Sequence, residues 1–266
     1  MRMVAMKAQV YSAGGAKSRE VELPKVFDSV VRTDLISRAV LHEASLTRQP
    51  KGAYKLAGMQ TTAGMRGRKE AYRAIKNKGI SRVPREKLPK GRFGRVRIVP
   101  FAVGGRRAHP PNPEKILVEK MNGKEYGLAL RSAIAATASA GLSKARGYAS
   151  ISPVVLEDAF EAIAKTGELE ALFGKIGLGP EIERVVRGTR IKSGVRAKRS
   201  GSKKVPRGIL VVVSGPEAKA ARAARNLPGV DVCTPKSLTV SLLAPGCAPG
   251  RLTVWSEGAL KEVSGW

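Results

Sequence analysis

Aromatics, cysteine, histidine and acid are all scarce in this chain. Phe, Trp and Tyr make up only 5% of its 266 residues, so aliphatic side chains must supply most of any core. Two cysteines, Cys233 and Cys247, are too few for a Cys-rich zinc site, and His42 and His109 are far apart in sequence. A pair of reduced thiols is a simpler reading than a disulfide, although the sequence leaves both open. No run of about 18 apolar residues exists, which excludes a membrane-spanning helix. The stretch Met1–Ala8 has no apolar segment of the signal-peptide kind. Catalytic signatures are missing as well: there is no G-x-S-x-G elbow and no H-E-x-x-H zinc motif. With no nucleophile, base and stabiliser brought together, neither catalysis nor a cofactor or metal is expected.

Base is abundant. Lys and Arg number 49 against 21 Asp and Glu, a net charge of +28. Self-repulsion on that scale points to a polyanionic partner, with nucleic acid first and an anionic membrane second. The hydrophobic fraction of 42% is still enough for a folded core.

The charge is concentrated. Residues 48–110 hold 18 Lys/Arg against 2 acids, and residues 184–208 hold 10 against none. The remainder carries 21 basic and 19 acidic residues, an ordinary balance. The pattern is that of one α/β globular domain spanning 1–266, interrupted by an extended basic loop at 48–110 and carrying a second basic segment at 184–208. Nine glycines and several prolines punctuate the loop, with a short helix expected near Lys69–Lys78. So long a loop implies function or disorder. Run out and back, it could reach about 100 Å at ~3.3 Å per residue.

The neutral remainder reads as alternating strands and helices. Short strands are expected at Ala8–Tyr11 and Glu20–Leu23, with a helix from Val26 to Leu46 on apolar residues at helical spacing. A strand follows at Ile116–Glu119, and an Ala-rich helix spans Glu125–Lys144. Pro153 makes any strand at Ser150–Leu156 short or peripheral. Helical pieces broken at Gly167 cover Glu157–Phe173, and Glu181–Val186 starts another helix. Ile209–Val213 is a continuous β-branched run, as for a strand buried on both faces. Ser214-Gly-Pro-Glu217 matches a capping box for a helix to Asn226. Val230–Cys233 is a strand, Thr234-Pro235 a helix start, and Leu252–Trp255 a last strand before a helix from Ser256. Such alternation implies a largely parallel sheet covered on both faces, a Rossmann-like three-layer α/β fold. No phosphate loop accompanies it: Pro216 lacks an amide donor and Glu217 would repel phosphate.

The candidate contacts are basic side chains that neutralise phosphate. In the loop they are Arg66, Arg68, Lys69, Arg73, Lys76, Lys78, Arg82, Arg85, Lys87, Lys90, Arg92, Arg95, Arg97, Arg106 and Arg107, with His109 beside them. In the second segment they are Arg187, Arg190, Lys192, Arg196, Lys198, Arg199, Lys203 and Lys204. Tyr54, Tyr72, Phe93 and Phe101 are interleaved, to stack on unpaired bases or to pack locally. DNA readers usually offer a recognition helix, zinc finger or basic zipper, and none is visible. A Gly/Arg loop suits the irregular interior of a large folded RNA better.

The run Lys90-Gly-Arg-Phe-Gly-Arg-Val-Arg-Ile-Val-Pro-Phe-Ala-Val-Gly-Gly-Arg-Arg-Ala-His-Pro-Pro111 resembles the loop signature of the family of large-ribosomal-subunit protein four. So do Met6-Lys-Ala-Gln-Val-Tyr, Ala129-Leu-Arg-Ser-Ala-Ile-Ala-Ala-Thr, Leu243-Ala-Pro-Gly and Pro249-Gly-Arg-Leu-Thr-Val-Trp-Ser-Glu-Gly-Ala-Leu260. The resemblance covers nearly the whole chain, and its form is archaeal. It implies a family start at Met6, with residues 1–5 as an extension. It also implies a cytoplasmic, non-enzymatic ribosomal protein whose partners are large-subunit ribosomal RNA and other large-subunit proteins. The loop, centred on Gly64–Arg107, is implied to thread the RNA to the peptide exit tunnel. There its tip would help form the constriction beside a second tunnel protein and meet the nascent peptide.

Overall fold

The computed structural model describes residues 6–67, 70, 74–148 and 153–266. In chain order it contains β1 (Lys7–Tyr11), β2 (Lys17–Glu22), α1 (Thr33–Leu46), β3 (Arg85–Lys87), β4 (Phe93–Val96), α2 (Gly123–Ala138), α3 (Ala140–Ala145) and β5 (Val154–Leu156). It continues with α4 (Thr166–Ile176), α5 (Gly179–Gly188), β6 (Arg190–Ile191), α6 (Val195–Ser200), β7 (Lys203–Lys204), β8 (Leu210–Val212) and α7 (Lys219–Arg225). The last elements are β9 (Asp231–Cys233), α8 (Val240–Leu243), β10 (Thr253–Ser256) and α9 (Glu257–Val263). The chain divides into two compact units. One joins Met1–Leu46 to Glu119–Trp266, and the other is Thr47–Val118.

The first unit is α/β with a mostly parallel central sheet. Its strand order is β2-β1-β5-β10-β8-β9, antiparallel between β1 and β2 and parallel at every other pairing. Side chains alternate along each strand, so the sheet feeds two cores. Val10, Val155, Leu210, Val212 and Trp255 enter one, with Ile36 of α1, Ile134 of α2, Val240 of α8 and Leu260 of α9. Tyr11, Val154, Leu156, Val211 and Val254 enter the other, with Leu172 of α4, Ile182 of α5 and the alanines of α7. Helices therefore cover both faces, which is why the strands read as unbroken apolar runs.

Several local readings are corrected by tertiary contacts. The helix expected from Val26 to Leu46 is a 3-10 turn at Lys25–Asp28, an extended break at Ser29, then α1. In the break Ser132 of α2 uses one hydroxyl twice, accepting from the Arg32 amide at 2.6 Å and donating to the Val30 carbonyl at 3.0 Å. The strand expected at Ile116–Glu119 is not one. Glu119 is tied to α1 by side chains instead, its amide to Ser45 Oγ at 3.0 Å and its carbonyl to His42 Nδ1 at 2.5 Å. The helix read across Glu125–Lys144 is interrupted at Ser139, which is extended. Gly167 lies inside α4, and the break falls before it, after a 3-10 turn at Asp158–Ala162. β5 is short but central, because Pro153 precedes it and removes no ladder donor. The rest of the stretch from Ser150 lies outside the described residues.

The capping box at Ser214 does not form. The Ser214 amide and hydroxyl both go to the carboxylate of Glu161, at 2.7 and 2.6 Å, and α7 starts only at Lys219 behind an uncapped Ala218. The box does form at Thr234 and Ser237. The last helix, expected from Ser256, starts at Glu257, and Ser256 caps it by accepting from the Ala259 amide. Other acids act at helix starts far away in sequence. Glu43 accepts from the Val240 and Ser241 amides at 2.9 Å each, and Asp158 accepts from the Gly258 amide at 2.7 Å. These carboxylates complement orphan amides and the positive helix end.

Both cysteines are free; Cys233 is buried and Cys247 half-buried. Burial pushes the Cys233 thiol up to about 12, leaving almost no thiolate at neutral pH. The native protein should therefore react with a thiol reagent at Cys247 first. Cys233 should react only on unfolding, as peptide mapping after timed alkylation would read. Equal labelling of both in the native state would contradict this burial.

Candidate nucleic-acid interface

The unit Thr47–Val118 holds the first set of candidate residues, and its described residues form almost no apolar interior. Ile75 is the one fully buried hydrophobic side chain there among the described residues. Polar and backbone ties hold the rest. β3 and β4 pair antiparallel, Arg85 opposite Val96 and Lys87 opposite Phe93, and Gly64 extends the ladder by a bridge to Arg85. Ile75 is fixed by its amide, which donates to the Arg66 carbonyl at 2.9 Å. Gly105 has to be glycine: a Cβ there would stand 2.0 Å from the Val99 carbonyl oxygen. Backbone passes backbone at that point in the Gly104-Gly105 pair of the signature.

Arg97 is structural as well as cationic. Its Nε contacts Glu86 at 2.5 Å and its Nη1 donates to the Gly104 carbonyl at 3.0 Å. The neighbouring guanidinium holds the Glu86 carboxyl below the usual carboxylate range. Arg85 donates to Ser81 Oγ, and Lys78 lies 5.4 Å from the Phe93 ring centroid. Lys87, Lys90, Arg92, Arg95, Arg107 and His109 are exposed, while Arg66, Lys76 and Arg106 are partly so. Arg82 is exposed too. Of the interleaved aromatics, Phe101 is 76% and Tyr54 56% exposed, whereas Phe93 packs locally under Lys78. Arg68, Lys69, Arg73 and Tyr72 lie outside the described residues. Of the helix expected at Lys69–Lys78, the described Ala74–Lys78 is irregular and turn-like.

The second set sits in the first unit. By its sequence the segment 184–208 begins as the end of a helix and is extended and loop-like from Gly188, but the structure is more ordered than that. β6 pairs with β7, and α6 bridges them. The register sets Arg190 opposite Lys204 and Ile191 opposite Lys203. A like-charged pair directly across a ladder is unfavourable by itself. Arg190, Arg196, Lys198, Arg199, Lys203 and Lys204 are exposed, and Lys192 is half-buried. Arg187 meets Glu183 at 3.1 Å one turn earlier in α5, a solvated pair of little energetic weight.

Arg251, which sequence reasoning did not single out, anchors the return of this segment. Its side chain is wholly buried. Nε donates to the Gly208 carbonyl at 2.7 Å, Nη1 to Leu242 at 2.8 Å, and Nη2 to Asp231 Oδ2 at 2.7 Å and to Ile209 at 3.3 Å. The other oxygen of Asp231 takes Arg207 at 2.6 Å. No composition signal marks an arginine as buried; only the contacts do.

Where a nucleotide site would sit in such a sheet, at the turn after β8, the Glu161 carboxylate already occupies the Ser214 amide. Among the described residues no helix is long and apolar enough to cross a membrane, and no three metal-ligating side chains gather.

Comparison with known proteins agrees with the signature residues. Residues 21–266 match the model of the Ribosomal protein L4/L1 family. The large ribosomal subunit protein uL4 of Methanocaldococcus jannaschii is 44% identical over 261 residues, covering 97% of this chain and 98% of the relative. The same-named protein of Archaeoglobus fulgidus is 41% identical over 263 residues, covering 98% and 99%. That of Methanococcus aeolicus is 41% identical over 263, covering 97% and 99%. With a family model spanning nearly the whole chain and archaeal relatives above 40% identity end to end, this chain belongs to the Ribosomal protein L4/L1 family.

Proposed function

We propose that this protein is a non-enzymatic structural component of the large ribosomal subunit in the cytoplasm. Its Rossmann-like three-layer unit acts as a platform, and the insertion at 48–110 is built into ribosomal RNA. One observation carries the RNA reading. The Thr47–Val118 unit has a single fully buried apolar side chain among its described residues, while residues 48–110 carry 18 Lys/Arg against 2 acids. Such a segment cannot be stabilised by its own core. Phosphate neutralisation supplies what the core does not. The exposed Phe101 suits stacking on nucleotides. The segment 184–208 is a second contact, in which RNA phosphates relieve the Arg190–Lys204 repulsion. By its family, the insertion reaches the wall of the peptide exit tunnel, beside a second tunnel protein and the nascent chain.

Sedimentation of a native lysate on a sucrose gradient tests the role. Co-migration with the large subunit through a moderate-salt wash is the expected result. Recovery only as free protein at the top of the gradient would overturn it.

A further inference from the structure

A third cationic surface lies in the part of the chain whose composition is neutral. The helix α7 reads Lys-Ala-Ala-Arg-Ala-Ala-Arg, and all four of its alanines are buried against the sheet. That leaves Lys219, Arg222 and Arg225 exposed on the other side. At spacings of three they form one row, with a rise of about 4.5 Å between successive members. Among the described residues no ion pair engages any of the three, although ten such pairs occur there.

Helix electrostatics account for only part of the row. Arg222 and Arg225 lie in the last turn, where a cation complements the helix dipole. Lys219 lies in the first turn, at the positive end, behind an Ala218 that caps nothing. A solvated face would typically alternate sign to gain support between neighbouring turns. This row has one sign, and Glu217 stands just outside the helix.

The surroundings are grooves. One, of about 580 Å³, runs along the row and is lined by Lys219, Arg222 and Arg225, with Glu217 as its one acid. A second, of about 330 Å³, opens at the far end between Arg225, Asn226 and Arg207, beside Val205 and Pro206. Its one acid, Asp231, is already held by Arg207 and Arg251. The second groove thus links the α7 row to the return strand of the basic segment 184–208.

We propose that Lys219, Arg222 and Arg225 form a third contact for a sugar–phosphate backbone, continuous through Arg207 with the 184–208 segment and engaging the same ribosomal RNA. The inference rests on the RNA-binding reading above. It adds a site on the globular unit itself, where the neutral composition hid it.

Binding of the full chain to a transcript of archaeal large-subunit RNA, titrated across salt, tests it. Replacing the three residues by Gln should lower the salt slope of log K by about 2–3 and weaken binding about 10²-fold at 0.15 M salt, at ~0.7–0.9 per phosphate contact. Lys219→Arg with Arg222→Lys and Arg225→Lys should keep the slope. Each single Gln variant should lower it by about 1 or slightly less, which keeps the question answerable if the triple variant folds poorly. If the wild type binds steeply and the Gln variants match it, the α7 contact is overturned while the RNA-binding reading stands. If the wild type itself shows no salt-dependent RNA binding, that reading falls and takes this one with it.

Discussion

Replacing Lys87, Lys90, Arg92, Arg95, Arg106 and Arg107 together by Gln should weaken binding to large-subunit RNA by about 10³–10⁴-fold at 0.15 M salt and flatten the salt slope by about 4–5. Each phosphate contact releases a counterion, so losses multiply along the insertion. These six are chosen because their removal leaves the Arg97–Glu86 pair, the Gly64–Arg85 bridge and the Ile75 anchor in place. None belongs to either core of the sheet, so the thermal midpoint of the free protein should barely move. A filter-binding titration from low to moderate salt reads both quantities. An unchanged slope with intact folding would show that the insertion does not meet phosphate.

The second large effect concerns stability. Arg251→Met should destabilise the first unit by about 3–5 kcal/mol, the cost of breaking a buried pair from one side. The carbonyls of Gly208 and Leu242 lose this donor, Ile209 keeps only the Asp231 amide at 3.1 Å, and the Asp231 carboxylate keeps only the solvent-facing Arg207. Against a domain stability of about 5–15 kcal/mol, that is a substantial fraction. At about 2–4 °C per kcal/mol the melting midpoint should fall by about 10 °C. Adding Asp231→Asn should recover part of the loss, because the abandoned charge goes with it. Denaturant melts of the single and double variants measure both. A single variant within about 1 kcal/mol of wild type would mean that well-packed Met replaces the buried cation without penalty.

What the sequence revealed and what it hid divide along the range of the forces involved. The β8 strand was legible because burial on both faces leaves a β-branched run, and the last strand and the short helix after it are equally local. The start of α1 was not, because Ser132, a hundred residues on, takes the backbone groups of the preceding turn. The box at Ser214 failed for the same reason: Glu161, more than fifty residues earlier, takes that amide. At the site, charge density located two basic segments, but not the hairpin and short helix that order the second. The α7 row escaped because composition averages over faces. Four buried alanines and three exposed cations make an unremarkable Ala/Arg helix until burial separates them.

The tie between Glu119 and the last turn of α1 bears on how such a chain can change length. Ser45 Oγ and His42 Nδ1 hold the returning backbone beside the point where the chain departs at Leu46. The insertion is therefore a closed circuit for the sheet unit, contributing no strand to its six-stranded sheet. Closure entropy grows only logarithmically, so doubling the circuit would cost the folding of the sheet unit about 0.6 kcal/mol. Insertions and deletions between those two anchors are thus nearly silent for folding, and the length of this segment is free to follow the RNA proposed to surround it.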